Sequence, residues 1–185
     1  MSPPTGHENT TLLVLRGPSG SGKTTVAEAV RSAYGHGLAL VQQDLLRRHV
    51  LREHDRPGAA NIRLIDLVAR HALDSGFHVV LEGILHADRY GTMLRRLVAD
   101  HRGQTHVIYF DVPFEDTVAR HATRPQAQEF TSEDMRSRYV AGDQLGVPGE
   151  TTIPASFSLA DTLQHLRRHL PTGSPASPSD AELSP

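Results

Sequence analysis

The chain has no cysteine, no tryptophan, few aromatic residues (5%) and a single lysine among its 185 residues. Without cysteine, neither a disulfide framework nor a thiolate zinc site can form, and a cytoplasmic setting is the simplest expectation. No apolar run approaches the length that crosses a bilayer, so no membrane partner is expected. The first residues, Met1 to Asn9, lack both the charged and the apolar regions of a secretory signal, and a loose arm over 1–10 is expected. A formal net charge of −2 with interspersed signs provides no basic stripe, so nucleic acid is not expected as an obligatory partner. The length suits one domain with a sizeable core.

The scarcity of lysine is itself informative. Eighteen arginines accompany the one lysine, Lys23, as if arginine had replaced lysine wherever it would serve. Lys23 stands in Gly17-Pro18-Ser19-Gly20-Ser21-Gly22-Lys23-Thr24, a full match to the phosphate-binding pattern G-x-x-x-x-G-K-[ST]. A compact ammonium on a flexible stem reaches between phosphate groups as a point charge, which a forked guanidinium does less well. Gly17, Gly20 and Gly22 permit torsions that turn successive N–H groups inward as a nest for phosphate oxygens. Thr24 places a hydroxyl for Mg²⁺, and Thr25 opens the helical pattern that follows. The apolar run Thr11 to Leu15 supplies the preceding strand, completing the strand–loop–helix context the motif requires. ATP and Mg²⁺ are the cofactors this loop implies.

Strand patterns fall at 11–16, 38–42, 77–82, 105–111 and 150–154, and helical patterns at 23–34, 45–55, 59–75, 87–101, 114–122, 131–140 and 158–169. Their alternation predicts an α/β domain, a parallel sheet with helices on both faces, over residues 11–170. The segment 171–185, rich in Pro, Ser and acidic residues, offers nothing to bury and is expected to be disordered.

Ligands bind at the carboxyl ends of strands in open α/β sheets, which singles out two carboxylates. Asp44 follows the second strand and is a candidate general base; the plainer reading is an N-cap for the next helix. Arg47 and Arg48 follow at helical spacing, so one shares a face with Asp44; Arg47 reads as a clamp for the acceptor or a phosphate, against the alternative of a solvated helix face. Glu82 ends the third strand before Gly83 and is preferred over Asp111 as a water-mediated holder of Mg²⁺. Arg120 and Arg124 flank a polar connection read as a lid over about 120–131, with an N-cap at Thr131; an ordinary surface loop is the alternative. The segment 146–156 is a candidate wall of an adenine pocket. The 12 histidines show no persuasive metal spacing and read mostly as surface residues.

The motif at 17–24, with Gln43-Asp44 and Arg47, Glu82-Gly83 and Arg120/Arg124, resembles the small P-loop kinases of the nucleoside-monophosphate-kinase-like group. It is most similar to the zeta-toxin-like and chloramphenicol-phosphotransferase-like branch of bacterial AAA family ATPases, over about residues 11–169. The resemblance implies a P-loop NTPase three-layer sandwich of five parallel strands in the order 2-3-1-4-5. It also implies Asp44 as base, lid arginines on the phosphates, and an ATP-dependent kinase acting on a hydroxyl of a small molecule such as an antibiotic, nucleoside or nucleotide sugar. A 5′-polynucleotide kinase and a nucleotide-dependent switch are the alternatives. Glu82-Gly83-Ile84-Leu85 departs from the Asp-Gly-Phe-Pro type sequence of adenylate kinases, which turns the reading away from a nucleotide monophosphate as acceptor. Neither the acceptor nor the oligomeric state, monomer or homodimer, is legible.

Overall fold

The computed structural model describes residues 3–122 and 131–170. The strands are β1 (Thr11–Arg16), β2 (Leu38–Gln42), β3 (His78–Gly83), β4 (Gln104–Asp111) and β5 (Thr151–Pro154). The α-helices are α1 (Lys23–Tyr34), α2 (Ala60–Asp74), α3 (Ala87–Asp100), α4 (Phe114–Ala122), α5 (Ser132–Ser137) and α6 (Leu159–Arg167). All four strand pairings are parallel and the sheet order is β2-β3-β1-β4-β5, as the resemblance implied.

The central strand explains the layering. Every residue of β1 is buried, because its alternating side chains face two cores. Leu12 and Val14 join Ile65, Ala69 and Leu73 of α2 and Leu94 and Leu97 of α3. Leu13 and Leu15 join Val26, Ala27 and Val30 of α1 and Leu166 of α6. Helices thus cover both faces, and the parallel register brings the carboxyl ends of β1, β2 and β3 to one edge, with Glu82 opposite both Leu15 and Gln42.

Three expectations change. The helix expected at 45–55 is a π-helical turn, Leu45–Val50. The chain leaves it by a clasp in which Glu53 N donates to Arg47 O at 2.9 Å and the Arg47 guanidinium donates to Glu53 O at 3.2 Å. Glu53 then turns its carboxylate onto the start of α2, accepting from Ala60 N and Asn61 N at 2.9 Å each, which satisfies backbone donors that an ordinary N-cap would. The helix expected at 131–140 is the shorter α5, opened by a full capping box between Thr131 and Asp134. From Thr5 onward the expected loose arm is tied down: Thr5 N donates to Asp100 O, and Asp74 accepts from the Thr5 hydroxyl and Gly6 N. The tail 171–185 lies outside the described residues.

Among the histidines, read mostly as surface residues, His78, His86 and His101 are exceptions and are buried. Periodicity could not reveal this, because His78 and His101 each meet a polar partner, at Thr11 and Thr10, from far away in the sequence. His78 Nδ1 accepts from Thr11 N at 3.0 Å, and the His101 ring lies between the hydroxyls of Thr10 and Thr105 at 2.9 and 2.7 Å. Burial lowers the pKa of His101 to about 4, and burial with the neighbouring His106, His165 and Arg168 lowers that of His169 to about 4. A group held neutral in the fold but titrating near its ordinary value when unfolded takes up more protons in the unfolded state. Stability contributed by these rings is therefore fully present above about pH 6.5 and is lost as pH falls toward 4. The melting temperature should decline across that window, and His101→Asn, which keeps hydrogen-bonding capacity without the titration, should make the decline shallower. An unchanged profile in the variant would remove His101 from the account.

Candidate active site

The loop between β1 and α1 is shaped by glycines that no other residue could replace. Gly17 (φ +145°) and Gly20 (φ +81°) are left-handed, and a Cβ on either would stand 2.7 Å from Phe110 O or 2.8 Å from Thr117 O. Gly22 is the N-cap of α1 at φ +100°. With no side-chain cap and no acidic residue in its first turn, α1 opens on backbone N–H groups that point into the loop, and its dipole adds partial positive charge there. Both features suit an anion. Lys23 is 6% exposed, its ammonium donating to Pro18 O at 2.9 Å and to the Ser21 hydroxyl at 3.4 Å, so it is held at the loop rather than in solvent.

Glu82 lies 4% exposed beside this loop. The Thr24 hydroxyl is 3.3 Å from both of its carboxylate oxygens, and Gln42 Nε2 donates to one of them at 3.1 Å. Burial raises the Glu82 pKa, opposed by the charge of Lys23 and by the bonds from Gln42 and Thr24. A hydroxyl and a carboxylate converging at the end of a phosphate-binding loop are oxygen donors of the kind a hard divalent cation takes, so the residues fit Mg²⁺. Asp111, the rejected alternative, is exposed at the end of β4, on the other side of β1 from β3.

Asp44 makes no capping bond; its exposed carboxylate accepts from Arg47 Nη2 at 2.6 Å, which puts the two residues on one face as their spacing predicts. Its charge is felt at Glu82, so it belongs to the same sheet edge. Arg120 sits in the last turns of α4 and donates to Ser21 O at 3.2 Å and Ala155 O at 2.7 Å, bridging the loop to the turn after β5. Arg124, and nearly all of the expected lid, lie outside the described residues.

A cavity of about 300 Å³ opens on the α1 side of the loop, between Gly22 and Val26, Phe110, Arg120, and the β5–α6 turn with Ile153, Pro154 and Phe157. The segment singled out at 146–156 thus contributes Ile153 and Pro154 to a pocket wall, while Phe157, Leu159 and Thr162 were not anticipated. Sequence reasoning also missed Arg16, Asp55, Arg89 and Tyr90. The only available signal was for Arg16, an arginine at the end of an otherwise apolar strand.

Comparison with solved structures places this architecture among known folds. A putative kinase from Chloroflexus aurantiacus J-10-fl is 17% identical, with 89% of this chain and 97% of that chain covered at a TM-score of 0.67. The APS kinase CysC of Mycobacterium tuberculosis is 21% identical, with 90% and 98% covered at 0.61. A gluconokinase from Sinorhizobium meliloti 1021 is 16% identical, with 85% and 90% covered at 0.57. At such identities the likeness is one of fold, the P-loop NTPase α/β sandwich. No curated protein matches the chain. The AAA domain family matches residues 12–141, from the first buried leucine of β1 past the end of α5, and the chain belongs to that family.

Proposed function

We propose that the protein is an ATP-dependent phosphotransferase that moves the γ-phosphoryl group of MgATP to a hydroxyl of a small molecule. The observation that carries this reading is the meeting of two carboxylates, Asp44 and Glu82, with the phosphate-binding loop at one edge of the parallel sheet. Solved structures of similar fold include an APS kinase, a sugar kinase and a gluconokinase, which supports a kinase and leaves the acceptor open.

In this reading the backbone N–H groups of Gly17 and of Ser19 to Thr25, with the Lys23 ammonium, hold the phosphates, and the cavity beside Phe157 and Ile153 takes the adenine. Thr24 and Glu82 hold Mg²⁺, whose charge offsets that of the phosphate oxygens. The acceptor oxygen bonds to phosphorus as the bond to the bridging oxygen of ADP breaks, and the hydroxyl proton passes to Asp44. Asp44 is suited to this because its carboxylate is exposed next to the loop and oriented by Arg47. Arg120 fixes Ser21 against the turn after β5 and so keeps the loop and the adenine cavity in register.

Asp44→Asn should leave MgATP binding intact and lower transfer about a hundredfold or more, the usual range for a lost general base. The assay is mass spectrometry of Mg²⁺, ATP and a pooled library of nucleosides, nucleotide sugars, antibiotics and 5′-hydroxyl oligonucleotides, run with wild type and variant. A product heavier by one phosphoryl group and absent with the variant identifies the acceptor class. Equal product from the variant would pass the base to Glu82, and ADP alone would favour a nucleotide-dependent switch.

A further inference from the structure

Two residues that flank the chemistry have no part in the reading above: Gln43, which precedes Asp44, and Gly83, which follows Glu82. Backbone pairing of β2 with β3 ends with Gln42 opposite Glu82, so Asp44 lies beyond the last rung of the ladder. Arg47 cannot fix it against β3, because that guanidinium is held by Asp44 itself and by the Glu53 carbonyl, both in the same stretch of chain. The tie across the site comes from Gln43, which is 2% exposed. Gln43 Oε1 accepts from Leu85 N at 3.1 Å, taking the place of a strand carbonyl. The amide NH₂ of Gln43 donates to the Tyr90 hydroxyl. That hydroxyl is anchored in turn: it donates to Asp55 Oδ1 at 2.7 Å, while Arg89 Nη1 holds Asp55 Oδ2 at 3.0 Å. Both ends of the Gln43 amide are thus engaged, which satisfies a buried amide and fixes which way it points.

The fit around this side chain is close. A Cβ on Gly83 would stand 2.5 Å from Gln43 Oε1 and 2.6 Å from Gln43 Cβ, and Gly83 is not left-handed, so room for Gln43 is what the glycine after Glu82 provides. Leu85, at the other end of the bond, is fully buried and left-handed, and its carbonyl accepts from Arg16 Nε and Nη2. Arg16 precedes Gly17 of the phosphate-binding loop just as Gln43 precedes Asp44. One residue, Leu85, therefore fastens two strands. Its N–H holds the strand that leads to the base, and its carbonyl holds the strand that opens into the loop.

Resting on the kinase reading, we infer that Gln43 is a positioning residue: through Leu85 it sets the place of the Asp44 carboxylate relative to the phosphate-binding loop and to Glu82. Gln43 acts only through the base and touches neither ATP nor the acceptor. Loss of its bonds leaves the loop, Lys23 and the adenine cavity as they are and lets Asp44 drift. A displacement of about 1 Å at a reacting group costs up to about a hundredfold in rate.

The test is a double-mutant cycle of Gln43→Met with Asp44→Asn in the full chain. It is read by the rate of phosphoryl transfer from γ-labelled ATP to the pool of nucleosides, nucleotide sugars, antibiotics and 5′-hydroxyl oligonucleotides. Methionine fills the volume of glutamine and removes both bonds. Gln43→Met should lower the rate at saturating MgATP about ten- to a hundredfold and leave KM for MgATP within about twofold of wild type. In the Asp44→Asn background it should have no further effect, since the placement of a base matters only where the base is present. Gly83→Ala, whose methyl group displaces the Gln43 amide, should show the same dependence on Asp44, and it serves where the methionine variant folds poorly. Equal losses in both backgrounds, or a raised KM for MgATP, would make Gln43 a part of the core and overturn the inference. Full transfer by Gln43→Met would overturn it too, with the kinase reading left standing. A wild type that phosphorylates nothing in the pool would instead sink the kinase reading, and the positioning role with it.

Discussion

Lys23→Ala should lower phosphoryl transfer about a hundred- to a thousandfold, the scale on which loss of one preorganised charge or donor at a developing negative charge is felt. The argument rests on place rather than on composition alone. Lys23 is the first residue of α1, nearly buried, and its ammonium is tethered to Pro18 O and Ser21 Oγ within the loop. It is thus already positioned at the phosphate site and needs little reorganisation to act. Its charge also favours the ionised form of Glu82, so alanine would leave that buried carboxylate more readily protonated and a poorer partner for Mg²⁺. Lys23→Arg should fail almost as completely, because the guanidinium is too large and too flat for the space beneath the Pro18 carbonyl. Stability should fall by only about 1–2 kcal/mol, the value of the tethering bonds. Single-turnover transfer from γ-labelled ATP measures the first effect and chemical denaturation the second; a fully active Lys23→Ala would remove the loop from the proposed chemistry.

Arg16→Ala should cost about 3–5 kcal/mol of stability, the range for breaking a buried ion pair from one side. Arg16 closes β1 with a side chain that is 0% exposed. Its Nε and Nη2 donate to Leu85 O at 3.1 and 2.8 Å, and its remaining contacts are Asp143 at 3.3 Å and Glu150 at 3.4 Å. Burial lowers its pKa and the two carboxylates oppose that shift, which keeps the guanidinium charged. Each carboxylate in turn holds backbone: Asp143 accepts from Ala87 N, and Glu150 from Leu145 N and Gly146 N. Leu85 itself is left-handed at φ +47° without being glycine, a conformation that persists only where its surroundings over-determine it. Gln43 Oε1 takes its N–H and Arg16 its carbonyl, so removal of Arg16 releases one of the two clamps. Arg16→Met should be nearly as damaging as alanine, because methionine fills the volume but leaves the carboxylates unpaired. Adding Asp143→Asn and Glu150→Gln to Arg16→Met should recover part of the loss. A cost below about 1 kcal/mol for Arg16→Ala in urea denaturation would show that the 143–150 segment is held by other means.

The contrast between these two residues explains what could be read in advance. The loop at 17–24 was legible because its chemistry is contiguous: three glycines, a lysine and a threonine do their work within one strand–loop–helix unit. Asp44 with Arg47 was legible as a local spacing, and Glu82 as a carboxylate at a strand end. Even there the local backbone differed, since Glu53 and Arg47 clasp each other where helical periodicity alone would continue the helix.

By itself the sequence determined the alternation of strands and helices, the apolar first strand and the position of the phosphate-binding loop, because these follow from short-range periodicity and from torsions that glycine alone permits. Tertiary structure alone decided that Arg16 meets Glu150 across 134 residues of chain, that Thr10 and His101 pair across 91, and that Tyr90 and Arg89 close on Asp55. Such partners are chosen by burial, where a polar group must find whichever complementary atom the fold delivers, and no local pattern in the chain records which atom that will be.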